Sequence, residues 1–111
     1  MGLVTLVRGD DEVSISGVAF YVGGKHTWQS QYVSIQTRNG TTVVLASDNV
    51  YLYENLDTHQ PIAGSLDADS NLRVQDRMRT LASELRLIVP GHDPAVFDRF
   101  ARVSAGIVRI E

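Results

Sequence analysis

Apolar and polar positions alternate through the first half of the chain and recur at helical spacing in the second. Val13-Ser14-Ile15 alternates and is broken by Gly17. Tyr32-Val33-Ser34-Ile35-Gln36-Thr37 alternates over a longer stretch, the period-two pattern of a strand with one buried face. Between them, Val18-Ala19-Phe20-Tyr21-Val22 is an unbroken β-rich run, which predicts a strand covered on both faces. Thr5-Leu6-Val7 is a further short apolar segment, closed by the turn chemistry of Gly9-Asp10-Asp11. Arg38-Asn39-Gly40-Thr41 sets an Asn-Gly pair ahead of the apolar run Thr42-Val43-Val44-Leu45-Ala46, so 32–46 is predicted as a β-hairpin.

Residues 48–56 are mixed, and His59-Gln60-Pro61-Ile62-Ala63-Gly64 reads as a loop. Val74, Met78, Leu81 and Leu85 then fall at i, i+4, i+7 and i+11, predicting a helix from about Ser70 to Leu85 with Asp69 or Ser70 as its cap. Arg73, Asp76, Arg77, Arg79 and Glu84 fall mainly on its other faces. Leu87-Ile88-Val89 reads as a short buried strand stopped by Pro90-Gly91. Asp93-Pro94 opens a short helix with Ala95, Val96, Phe97 and Phe100 as its apolar face, and Ile107-Val108-Arg109-Ile110 is a last strand. The order predicts one α/β (α+β) domain over residues 1–111, a sheet with helices on one face. The apolar content is generous for this length, so one side of the sheet is expected to need a partner.

Composition narrows the function classes. A chain of 111 residues has room for one core, and 43% hydrophobic with 21% charged residues is ordinary globular usage. The net charge of −3, with Lys25 the single lysine and the arginines scattered, argues against nucleic acid as a partner. Without cysteine there is no disulfide, thiolate nucleophile or Cys-ligated zinc. The longest apolar run is too short to cross a membrane, and the start lacks a basic n-region, so a cytoplasmic protein is expected.

Three side chains share one setting. His26 follows a predicted strand, Asp48 ends the returning strand of the hairpin, and His92 lies in the turn Val89-Pro90-Gly91-His92-Asp93. Sites in open sheets gather where strands give way to loops. Two imidazoles and a carboxylate suit zinc or another divalent ion, and a carboxylate can bridge two ions. Each residue also has a plainer reading: a solvated loop histidine for His26 and His92, a turn cap for Asp48. Asp93 is assigned to capping because Pro94 follows it, and His59 to the surface.

Gly24-Lys25-His26-Thr27, Val44-Leu45-Ala46-Ser47-Asp48 and Ile88-Val89-Pro90-Gly91-His92-Asp93-Pro94 together resemble the later motifs of metallo-β-lactamase-fold hydrolases, most of all the N-acyl homoserine lactonase branch. Separations of 22 residues from His26 to Asp48 and 44 from Asp48 to His92 look like those of that branch. The resemblance implies half of an αββα sandwich, its C-terminal half, with His26 on one metal, Asp48 bridging and His92 on the second. Tyr51 stands three residues after Asp48, where lactonases of this type carry a tyrosine that binds the lactone carbonyl and steadies the oxyanion.

The chain departs from the family in two places. Trp28-Gln29 replaces the usual Pro-Gly of the first motif, and the family's His-x-His-x-Asp-His cluster has no counterpart among His26, His59 and His92. The expectation is therefore a lactonase-like metal-dependent hydrolase, incomplete and inactive alone. It would act on a small-molecule lactone or ester once an N-terminal half completes it, with homo-oligomerisation as a further expectation. The alternative is a non-catalytic binding or assembly module that keeps the half-fold.

Overall fold

Five strands hydrogen-bond in chain order to form the main sheet of the computed structural model: β1 (Glu12–Ile15), β2 (Val18–Val22), β3 (Gln31–Gln36), β4 (Thr42–Ser47) and β5 (Ile88–Pro90). The structure describes residues 6, 7, 9, 10 and 12–111, with the backbone alone for 12–14. β1 to β4 run antiparallel to their neighbours, whereas β5 runs parallel to β4. The long return needed for that parallel pairing holds two helices, α1 (Tyr53–Asp57) and α2 (Ala68–Leu81), and a 3-10 turn over Leu85–Leu87. After β5 come α3 (Val96–Arg99) and a separate hairpin of β6 (Ala101–Ser104) and β7 (Ile107–Arg109).

The predicted β3–β4 hairpin is present. Asn39 keeps a negative φ and Gly40 alone takes the left-handed conformation at φ 80°. Gly40 N donates to Thr37 O at 3.1 Å and Thr37 N to Thr41 O at 2.8 Å, so the connection is a tight turn followed by a one-residue bulge. Register pairs Tyr21 with Tyr32 and Ser34 with Val44, which sorts the strands into two faces. One face carries Tyr21 and Tyr32, stacked at 5.1 Å between ring centroids. Val44, Ala46 and Ile88 join them and pack against Val50, Leu56 and Met78 from the return. Burying each large apolar side chain contributes about 1.5–3 kcal/mol.

The second face carries Phe20, Val22, Val33, Ile35 and Leu45. Among the described residues, cover comes at one end, where Val43, Leu87 and Phe100 cluster with Val96, Val108 and Ile110 from α3 and the hairpin. The strand predicted to be covered on both sides is therefore half open: Val22 is 53% exposed, and Leu45 on β4 is 39% exposed.

α2 starts and stops elsewhere than the apolar spacing predicts. Its cap is Asp67, whose Oδ1 accepts from Ser70 N at 3.1 Å, not Asp69 or Ser70. It ends at Leu81 because the next residues are drawn to the sheet: Ser83 N donates to Thr42 O at 3.0 Å and Thr42 N to Ser83 Oγ at 2.8 Å. Leu85 consequently lies in the 3-10 turn and is exposed. Met78 is buried as its spacing implies, but fully buried Asn71 and Gln75 share the inner surface. The α1 helix and the pairing of 101–104 were not signalled by periodicity. Of the predicted strand 5–7, Thr5 lies outside the described residues, and Leu6 and Val7 form no strand.

Candidate functional site

Four loop-borne side chains converge at the C-terminal ends of the parallel strands β4 and β5. β4 ends at Ser47, which adopts a positive φ of 53° and turns the chain so that Asp48 projects beyond the sheet. β5 ends at Pro90, and Gly91 follows where no Cβ would fit against the Ser47 backbone. Gly91 N donates to Val50 O at 2.9 Å and His92 N to Tyr51 O at 3.0 Å, so the two strand ends are stitched together just past the sheet. His92 and Tyr51 thereby become neighbours, with ring centroids 5.2 Å apart, edge to face.

His26 arrives from the loop between β2 and β3, and a buried amide fixes that loop. Asn49, next to Asp48, is fully buried. Its Oδ1 accepts from Gly24 N at 2.7 Å and from Ser30 Oγ at 2.8 Å, while its Nδ2 donates to Gln31 O at 3.0 Å and Ala46 O at 2.9 Å. Asn71 on α2 donates through Nδ2 to Asn49 O at 2.9 Å, and Gln75 donates to Asn71 Oδ1 at 3.1 Å. Gly23 and Gly24 lie so close to this network that a Cβ at either would collide with Ser30, Asn49 or Asn71. On the outer side, Leu66 N donates to Lys25 O at 2.9 Å, binding the 62–66 loop to the same segment.

The result is a linked cluster. Asp48 presents one oxygen to each imidazole: Oδ1 lies 2.7 Å from His92 Nε2 and Oδ2 lies 3.5 Å from His26 Nε2. On the far side of the ring, His26 Nδ1 is 3.1 Å from Gly64 O and 3.1 Å from Tyr51 Oη. The side chains of His26, Asp48 and His92 are 28%, 43% and 60% exposed, so the cluster opens to solvent and can receive groups from outside.

All four candidate residues named from sequence thus come together. Asp48 lies between the two Nε2 atoms, within hydrogen-bond distance of His92 and farther from His26. Among the described residues no group of three or more His, Asp or Glu surrounds a single point. A zinc ion takes four ligands, so His26, Asp48 and His92 would not by themselves complete a zinc site. His59 lies apart, its Nε2 2.8 Å from Asp76 Oδ1 at the surface. Asp93 accepts through Oδ2 from Tyr53 N at 2.9 Å, at the start of α1, and through Oδ1 from Ala95 N at 2.9 Å, but it does not cap the following helix as expected: α3 begins at Val96 with Ala95 as its N-cap. Sequence reasoning missed Asn49, Asn71 and Gly64; the mixed polarity of 48–50 and an amide amid apolar helix positions were the signals on offer.

The sequence matches no protein-family model, and a comparison with curated proteins finds no match either. Solved structures do match. An N-acyl homoserine lactone hydrolase with its product N-hexanoyl-L-homoserine bound at a catalytic metal centre superposes with a TM-score of 0.72 at 24% identity, over 91% of this chain and 40% of that one. A variant of AiiA from B. thuringiensis with N-decanoyl-L-homoserine at its active site gives a TM-score of 0.72 at 24% identity over the same shares. A quorum-quenching N-acyl homoserine lactone hydrolase gives 0.71 at 24% identity, over 91% of this chain and 41% of that one. The chain therefore spans about 40% of the length of the structures it matches. None of the helices among the described residues is long and apolar enough to cross a membrane. Over 91% of its length the chain has the fold of part of an N-acyl homoserine lactone hydrolase.

Proposed function

We propose that the chain is the C-terminal portion of a lactonase-like metallo-hydrolase, contributing His26, Asp48 and His92 to a centre of two divalent cations, zinc foremost. The observation that supports this most is the sharing of Asp48 between two imidazoles whose partners lie 22 and 44 residues away along the chain. A carboxylate oxygen beside each of two imidazoles is a donor set that would suit a pair of divalent cations. When bound, the cations would lower the pKa of a water and polarise a lactone carbonyl. Tyr51, whose ring packs edge to face against both histidines, would donate its hydroxyl proton to that carbonyl oxygen as negative charge builds on it. The remaining ligands come from outside these 111 residues, and the chain alone is inactive.

Zinc titration and a lactone-opening assay on the chain, with and without a separately expressed polypeptide carrying His-x-His-x-Asp-His, test this reading. Activity only in the mixture, lost in Asp48→Asn, is expected; turnover by the chain alone refutes its incompleteness. A second reading, a binding or assembly module, draws on the apolar face of Phe20, Val33 and Leu45. It requires a mixture that assembles, binds no zinc and opens no lactone.

A further inference from the structure

The structure assigns a positioning role to Gly64: its carbonyl oxygen sets the tautomer of His26, and its lack of a side chain seats the Tyr51 hydroxyl beside that ring. The inference rests on the reading of His26 Nε2 as a donor atom and adds the groups that make it one. A carbonyl oxygen can only accept, so the 3.1 Å contact from His26 Nδ1 to Gly64 O is a hydrogen bond with the proton on Nδ1. In the neutral ring the lone pair then sits on Nε2, the nitrogen that faces Asp48 Oδ2 at 3.5 Å. Two electron-rich atoms held face to face in this way call for a positive charge between them.

The same proton assignment orients Tyr51. Its Oη, 3.1 Å from Nδ1, becomes a second acceptor for that N–H. The hydroxyl's own proton is then directed to an acceptor oxygen elsewhere in the site. Gly64 allows this: a Cβ there would stand 2.5 Å from Tyr51 Oη and 3.5 Å from His26 Nδ1. The tyrosine has no easy retreat, because its ring packs edge to face against both His26 and His92, with centroids 5.8 and 5.2 Å away. Nor can the loop withdraw, since Leu66 N holds Lys25 O at 2.9 Å and Ser65 Oγ holds Gly24 O at 3.3 Å.

The test is nitrogen-15 NMR of the imidazoles in the metal-free chain at about pH 8.5, above the usual histidine range. The expected spectrum shows His26 protonated on Nδ1 in the wild type and in Tyr51→Phe, which keeps the Gly64 carbonyl. Gly64→Ala should move His26 toward the Nε2–H tautomer, and Tyr51→Phe/Gly64→Ala, which removes the colliding hydroxyl, should bring the Nδ1–H form back. A wild-type His26 protonated on Nε2, or a tautomer unmoved by Gly64→Ala, overturns the assignment. Should Gly64→Ala fail to fold, the wild-type and Tyr51→Phe spectra still decide it. Because no metal is added, failure of the metallo-hydrolase reading shows separately, as a wild-type chain that takes up no zinc in the presence of its complementing polypeptide.

Discussion

Asn49→Ala should be among the most damaging single substitutions outside the apolar core. The side chain makes four hydrogen bonds, to Gly24 N, Ser30 Oγ, Gln31 O and Ala46 O. Truncation leaves the Gly24 N–H without that acceptor in a buried position, at about 1–3 kcal/mol, and removes three further bonds of roughly 1 kcal/mol each. Ala46 O keeps a second donor in Asn49 N, at 3.2 Å, which trims the total. The sum is about 3–5 kcal/mol, a large share of the roughly 5–15 kcal/mol that stabilises an ordinary domain. Urea unfolding followed by far-UV circular dichroism measures it directly; Trp28 fluorescence is a poor probe, because that ring is 78% exposed. A loss below about 1 kcal/mol would refute the view that this amide, rather than the apolar core, holds the His26 loop to the sheet.

Other substitutions probe single interactions. Met78→Ala empties a fully buried position on α2 and should cost about 2–5 kcal/mol in the same urea assay. Tyr53 is buried and its hydroxyl has no hydrogen-bond partner among the described residues, so Tyr53→Phe should leave stability unchanged or raise it by up to about 1 kcal/mol. Burial also pushes the Tyr53 phenol above its ordinary 10.0, against the opposing pull of Arg99. Because the folded state resists ionising this phenol, stability is unaffected below the unfolded-state value and falls as pH rises from there through the higher folded-state one, so Tyr53→Phe should flatten the alkaline limb of a thermal-midpoint profile. The Ser70 amide holds the Asp67 carboxyl below its ordinary 3.8. That contribution is present above 3.8 and lost as pH falls toward the folded-state value. Asp67→Asn keeps a capping acceptor, and its thermal midpoint should vary less with pH on the acid side than that of the wild type.

What could be read from the sequence follows the physical origin of each signal. Alternation and the Asn39-Gly40 pair located β3 and β4 because strand period and turn chemistry are local properties. The convergence of His26, Asp48 and His92 was legible through the order and spacing of three motifs, not through any one of them. The true limits of α2 were not, since Asp67 caps seven residues ahead of Val74, the first position of the apolar repeat, and the helix stops where Ser83 pairs with Thr42. Asn71 and Gln75 escaped notice because apolar periodicity is blind to buried amides whose bonding is satisfied by distant partners. β7 was read from its apolar run, but its partner β6 hides for another reason: it is exposed along its whole length and shows no one-sided pattern.

The parallel pairing of β4 with β5 has a bearing on how this chain can change. Register matches Leu45 to Val89 and Ser47 to Pro90, so the depth at which Asp48 and His92 leave the sheet is set by ladder bonds between β4 and β5. The long excursion separating them in sequence has no say in that depth. Residues could be inserted or deleted at the 82–84 bend, remodelling one flank of the molecule, while the acid and the imidazole keep their mutual distance. A slip of one ladder step, by contrast, would part them at once, with every loop intact.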